Sequence, residues 1–274
     1  MAEGAPPSAG PVFEGPTLRL RAAVLLARAI EWVLRHHRVA RVLYVVADAN
    51  ARISALVLRG EARACPCCGG RFRRMSRSRL SGWGGICPRC RSHPRHRAIA
   101  LLLARRDVGG RRILHFAPEP LFDPVFDRLP AGERVTADLY APADLRLDIT
   151  RIELPDGSFE LILCSHVLEH VPDDRAAISE LHRVLSPGGL ALVLTPYRSG
   201  RPTYEDPSII KPLDRMVAFG QQDHVRIYGN DLADRLRGAG FEVEDRTPGE
   251  LFDPSAVERC ELDVDEHLFF CRRP

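Results

Sequence analysis

Two rhythms of apolar positions divide the chain. Over 17–37 (TLRLRAAVLLARAIEWVLRHH) the apolar residues recur at helical spacing, which predicts an amphipathic helix. Val42 to Val46 reads as a short strand, and Ala51 to Arg59 fits either state. Beyond residue 109 short apolar runs alternate with helical stretches. Arg112–Phe116, Val135–Asp138, Leu161–Leu163, Leu190–Leu194, Phe241–Val243 and His267–Cys271 read as strands. After the third of these, Asp173 and Asp174 can cap a helix carrying Ala177, Ile178, Leu181 and Leu185, which Pro187-Gly188-Gly189 ends. A strand–helix–strand repeat demands right-handed crossovers and a mostly parallel sheet. In such sheets ligands lie beyond the carboxyl ends of the strands. Chemistry is therefore expected just after Leu163, where Cys164, Ser165, His166, Glu169 and His170 crowd together. Residues 196–225 show no periodicity; a loop of that length in a compact domain is usually functional.

Composition adds three constraints. The chain has 274 residues, 45% of them apolar, enough for one large domain and a smaller attachment. No apolar run is long enough to span a membrane, and the Pro/Gly-rich residues 1–16 read as a disordered tail without a signal-peptide pattern. Five of eight cysteines fall between Cys65 and Cys90, which argues for metal in a reducing compartment and places the protein in the cytoplasm. Cys65-x-x-Cys68 and Cys87-x-x-Cys90 are two knuckles with the separation of a tetrahedral zinc site, Cys67 being a spare that can compete with Cys68. With four protein ligands such a zinc is structural. The net charge of +3 hides a segregation: residues 61–112 hold 14 of the 39 basic residues and 2 of the 36 acidic ones. That can mark an anionic partner or a face complementary to an acidic domain, and no aromatic-interleaved pattern favours nucleic acid.

Residues 159–196, with HVLEH closing a strand and RVLSPGG closing the next helix, resemble the central part of class I S-adenosylmethionine-dependent methyltransferases. The resemblance covers roughly residues 110–272. It implies an α/β fold: a Rossmann-like, doubly wound, mostly parallel seven-stranded sheet with an antiparallel last strand, here behind a small N-terminal zinc-binding module. The organisation expected is a tail over 1–16, a mixed segment over 17–60, the zinc module and linking helix over 61–108, and the methyltransferase domain over 109–274. The resemblance implies S-adenosylmethionine as cofactor. Phe116, Ala117 and Glu119 would lie at its methionine end, Asp138 at its ribose, Asp148 and Ile149 at its adenine, with Ser165 and His166 lining the pocket. The sequence departs from the pattern in one place. Ala117-Pro118-Glu119-Pro120 stands where a glycine-rich loop usually lets the backbone approach the cofactor. Gly220 to Gly229 (GQQDHVRIYG) resembles the GQxDHVRxYG segment of a methyltransferase subgroup that also carries the APE loop.

Histidine suits proton removal near neutral pH, so His170 and His224 are the catalytic candidates, with Asp223 orienting His224. Arg226 and Tyr228 are the substrate-binding candidates, at the end of a lid over 196–228. The function expected is methyl transfer to a small-molecule or peptide acceptor, in a monomer or homodimer. An RNA methyltransferase gripping phosphates with the arginine-rich module, and a non-catalytic zinc-dependent binding protein, are the alternatives.

Overall fold

The structure, a computed structural model, describes residues 51–76, 85–105, 111–130 and 132–274. The tail over 1–16, the helix expected over 17–37 and the strand at Val42–Val46 lie outside the described residues. Residues 51–57 are helical. A small β-hairpin follows, β1 (Arg59–Ala64) and β2 (Arg71–Phe72), and then helix α1 (Pro94–Arg105).

The main sheet has seven strands: β3 (Arg112–Phe116), β4 (Glu133–Asp138), β5 (Leu145–Arg146), β6 (Phe159–Ser165), β7 (Leu185–Leu194), β10 (Glu242–Arg246) and β11 (Leu268–Arg272). Their order is β10-β11-β7-β6-β3-β4-β5. Pairing is parallel from β5 to β7, and β11 runs antiparallel to both β7 and β10. The chain starts at β3, winds outward through β4 and β5, then crosses to β6. The topological switch point is therefore between β3 and β6, the place where sheets of this kind open a crevice at the carboxyl edge.

Alternation along the strands builds a core on each face. Ile113, Leu161, Leu163, Leu190, Leu192 and Phe270 face one side, in a cluster that includes Ile99, Leu102 and Leu103 of α1 and Phe72 of the hairpin. Leu114, Ile162, Cys164, Ala191, Val193 and Phe269 face the other, among Ala177, Ile178 and Leu181 of α3 (Asp174–Val184) and Leu232 and Leu236 of α5 (Leu232–Gly238). One short helix, α2 (Asp123–Phe126), lies between β3 and β4. The hairpin is thus continuous with the domain core. Arg97 of α1 fastens this junction: fully buried, it donates to the carbonyls of Cys260, Ser92, Gly85 and Glu261 at 2.5–2.9 Å.

Two expectations change. Strand β7 begins at Leu185, directly after α3, and takes Pro187-Gly188-Gly189 into itself. Gly188 adopts φ 74°, and the amide of Gly188 and the carbonyl of Gly189 pair with Arg273. The aperiodic stretch from 196 is not a structureless loop. It holds β8 (Tyr204–Glu205), α4 (Pro212–Phe219) and β9 (Arg226–Ile227), with β8 and β9 paired antiparallel. Strands of two residues leave no period to read. Helices α6 (Pro248–Leu251) and α7 (Pro254–Cys260) complete the chain before β11.

Candidate active site

At the end of β3 the backbone turns sharply: Ala117 sits at φ 48°, and its amide donates to the Ala137 carbonyl at 2.9 Å. A left-handed conformation is costly for a residue with a Cβ. The turn that glycine usually makes is therefore kept although the residue is alanine. Phe116 is buried beneath it. Glu119 is met by helix α1, with His96 Nε2 at 2.9 Å and Arg95 Nη2 at 3.9 Å. Burial works against the Glu119 charge, but these two neighbours hold its pKa below the ordinary carboxylate value.

Asp138 ends β4, and its Oδ1 accepts the amides of Tyr140 and Ala141 at 2.7 and 2.6 Å, which folds the loop and leaves Oδ2. Asp144, close by in sequence, is taken up by Thr136, whose amide and hydroxyl it accepts at 2.8 and 2.6 Å. Asp148 closes a turn on Thr150, and Ile149 is buried. Beyond β6, Ser165 Oγ and His166 Nε2 are buried with no hydrogen-bond partner among the described residues. Orphaned polar atoms are rare inside proteins and at a carboxyl-edge crevice fit a ligand. His166 itself stands at φ 57°, a second strained residue at the same edge.

The turn Leu168–His170 buries Glu169 completely. Its Oε2 accepts from Thr195 Oγ1 at 3.0 Å, and Oε1 lies 3.1 Å from His166 Nδ1. Burial opposes the charge, but the His166 contact keeps the Glu169 pKa low. His170 Nδ1 lies 3.3 Å from Asp223 Oδ2, and the rings of His170 and His224 meet edge-on at 4.7 Å. Asp223 thus orients His170, not His224 as expected; the His224 Nδ1 faces the Phe219 carbonyl at 3.2 Å. Burial lowers the His224 pKa. At His170 burial pulls the same way, but Asp223 and Glu169 outweigh it and the pKa is raised. Asp223 is held down to about 2 by His170.

The substrate-facing place expected for Arg226 and Tyr228 is not where their side chains lie. Arg226 is buried; it donates to Glu205 (2.8 Å) and to the carbonyls of Leu168 (3.1 Å), Val171 and Pro172 (2.8 Å). The Tyr228 hydroxyl donates to Asp174 at 2.9 Å, inside the core. Both hold the segment after β7 onto the turn that carries Glu169 and His170. An alternating apolar–charged stretch reads alike whether the arginine points out or in.

Cys65, Cys68, Cys87 and Cys90 place their Sγ atoms within 4.8 Å of one another, with Cys65–Cys90 at 3.6 Å and Cys68–Cys87 at 3.7 Å. All four are free thiols. Four thiolates about 2.3 Å from a zinc form a tetrahedron with edges of about 3.8 Å, so the donors fit that ion. Cys67, the spare, turns instead toward the His96 carbonyl at 3.5 Å.

Residues 130–193 match the family described as "Methyltransferase domain". With the strand order and the antiparallel β11, the fold is settled. The described sheet has the fold of class I methyltransferases. Among similar proteins, a probable S-adenosylmethionine-dependent methyltransferase of Mycolicibacterium smegmatis is 34% identical over 111 residues, 39% of this chain and 38% of that one. A ubiquinone biosynthesis O-methyltransferase of Thiobacillus denitrificans is 29% identical over 143 residues, 52% of this chain and 56% of that one. The chain thus spans about half or less of the length of these relatives. A solved S-adenosylmethionine-dependent methyltransferase from Mesorhizobium loti, 20% identical, superposes with a TM-score of 0.42 over 64% of this chain and 96% of its own. No helix among the described residues is long and apolar enough to cross a membrane.

Sequence reasoning placed Glu169 among the polar residues after Leu163 but gave it no role, although a signal for one was present: His166 and Glu169 at i, i+3 beside His170. Thr195, at the end of β7, had none, because its role exists only once β6 and β7 pair.

Proposed function

We propose that this chain is an S-adenosylmethionine-dependent methyltransferase acting on a small-molecule or peptide acceptor, built as a zinc module over 61–108 docked on a catalytic domain over 109–274. The observation that carries the reading is the carboxyl edge itself. Two strained turns at Ala117 and His166, two orphaned polar atoms and the acids Asp138 and Asp148 all follow the carboxyl ends of neighbouring strands, β3 to β6, of a methyltransferase sheet.

When bound, S-adenosylmethionine supplies a methyl group on a sulfonium. Asp138 accepts from the ribose hydroxyls through Oδ2, as acids at this place do in dinucleotide folds. Asp148 accepts from the adenine amino group and Ile149 packs on its ring. Ala117 admits the methionine part past Phe116, Glu119 faces its ammonium group, and Ser165 and His166 line the remaining wall. The four cysteines hold zinc as a structural cross-link. His170 and His224, with Asp223 behind His170, face the acceptor and handle its proton. Segment 196–228 covers that face as a lid, with Arg226 and Tyr228 as its inner anchors. Displacement at carbon needs nucleophile, methyl and sulfur in line, which a covered crevice enforces.

The test is calorimetric binding of S-adenosylmethionine, followed by methyl-transfer assays against pooled small-molecule, peptide and RNA acceptors. Micromolar binding with transfer to the first or second pool supports the reading. No binding at millimolar cofactor would leave a zinc-dependent binding protein, and transfer to RNA alone would replace the acceptor class.

A further inference from the structure

Glu169, His170 and His224 do more than carry polarity to the acceptor face. We infer that they form a divalent-cation site of two histidines and one carboxylate at the end of β6, separate from the four-cysteine centre, taking a first-row ion such as Mn2+, Co2+ or Zn2+.

The geometry is that of a ligand set. One donor atom from each residue lies within 4.8 Å of the others. Each donor is also held from behind. The Asp223 carboxylate orients the His170 ring through Nδ1 and the Phe219 carbonyl orients that of His224. This fixes the tautomers and leaves the two Nε2 atoms as donors, the outer-shell pattern of metal-bound histidine. Thr195 Oγ1 fixes the Glu169 carboxylate through Oε2. A fully buried carboxylate with imidazoles on more than one side is a costly arrangement unless a cation completes it. His166, whose Nε2 lacks a partner, borders the same carboxylate. Mixed imidazole and carboxylate donors favour first-row transition ions over Ca2+ or Mg2+. Three protein donors leave coordination positions open, as in catalytic centres and unlike the closed cysteine tetrahedron.

The consequence for chemistry rests on the methyltransferase reading; the binding of the ion does not. A cation here selects an oxygen acceptor and lowers the pKa of its hydroxyl. That hydroxyl loses its proton to solvent, its oxygen forms the bond to the methyl carbon as the carbon–sulfur bond breaks, and sulfur keeps the electron pair. With the ion bound, His170 and His224 act as ligands, and the cation takes over the proton-handling role they have in its absence.

The experiment counts metal on the full-length, zinc-loaded protein. Elemental analysis of the protein as isolated is combined with titration by Mn2+ and by Co2+, and S-adenosylmethionine affinity is measured on the same samples. The expected result is two ions per chain in the wild type, counting those already present. Glu169→Gln, His170→Ala and His224→Ala should each weaken the second ion by more than about tenfold, and Asp223→Asn by about 10–100-fold. Cofactor affinity retained in His170→Ala or His224→Ala shows that the fold survives, should Glu169→Gln not. A wild type that holds one ion and takes up no Mn2+ or Co2+ at millimolar concentration overturns the site, as do folded variants that bind as tightly as wild type. A second ion without cofactor binding would sink the methyltransferase reading and leave the site standing.

Discussion

Replacing Arg226 by methionine keeps the length of its apolar stem and removes only the guanidinium. Its donors serve Glu205 and the carbonyls of Leu168, Val171 and Pro172. Glu205 and Asp174 keep a cation after the change, because Arg235 reaches both at 2.9 Å. The Leu168 carbonyl also keeps donors, the Val171 amide at 3.2 Å and the Tyr228 hydroxyl at 3.4 Å, whereas the carbonyls of Val171 and Pro172 lose theirs. Each buried carbonyl left without a donor costs about 1–3 kcal/mol. Two such carbonyls, that of Pro172 only part-buried, bring the sum to about 2–4 kcal/mol, at the low side of what breaking a buried ion network costs. Against a total stability of about 5–15 kcal/mol that is a large fraction. Urea denaturation of Arg226→Met should show it as a lowered midpoint at unchanged slope. Hydrogen exchange should speed first in Tyr204–Glu205 and Arg226–Ile227, the paired strands that Arg226 ties to the Leu168–His170 turn. Unchanged stability, within about 0.5 kcal/mol, together with a raised acceptor Michaelis constant would refute the argument and return Arg226 to the substrate.

Cys65→Ser or Cys90→Ser should release zinc and destabilise the hairpin and α1 together, seen as lost metal and early unfolding, because the folding energy of such sites comes with the ion. Asp138→Ala should weaken S-adenosylmethionine by about 1–3 kcal/mol in calorimetry, through the lost charged acceptor. Asp223→Asn should lower the His170 pKa, read from imidazole NMR shifts, since Asp223 is the larger of the two neighbours that raise it. With the pair intact, its stability contribution holds between the ordinary pKa values of the two groups. It fades as pH rises through the raised His170 value and as pH falls toward about 2, where Asp223 titrates. It stays below about 1 kcal/mol because Asp223 is 57% exposed.

The parallel sheet was legible because its strands are buried on both faces, and such strands announce themselves as apolar runs between turn residues. Leu161–Leu163 and Leu190–Leu194 are of that kind; the two-residue β8 and β9 are not, and their segment read as loop. Residue type and spacing gave the cysteine cluster, and position gave Asp138 its place at the end of β4. Pairings between distant residues were out of reach. Asp223 lies beside His224 in sequence, yet its carboxylate meets His170, because β9 runs past the turn after β6 and brings that ring to it.

The same limit governs the arginine-rich region, whose excess of charge suggested an anionic partner. Much of that charge is answered from within the chain. Arg63 pairs with Glu258 and Glu261 at 3.3 and 3.1 Å, Arg105 approaches Asp253, and Arg95 reaches toward Glu119. Arg97 is wholly enclosed between α1 and the carbonyls that follow α7. The carboxylate partners all belong to the acidic part of the chain downstream, and Glu119 lies on the turn after β3. Charge segregated along the sequence is here brought together in space, sign against sign. A guanidinium that already holds a carboxylate or a carbonyl is a poor phosphate ligand, because the exchange orphans its present partner. The complementarity therefore reads as the attachment of the cysteine-bearing hairpin region to the seven-stranded sheet domain, with helix α1 carrying Arg95 and His96 to Glu119.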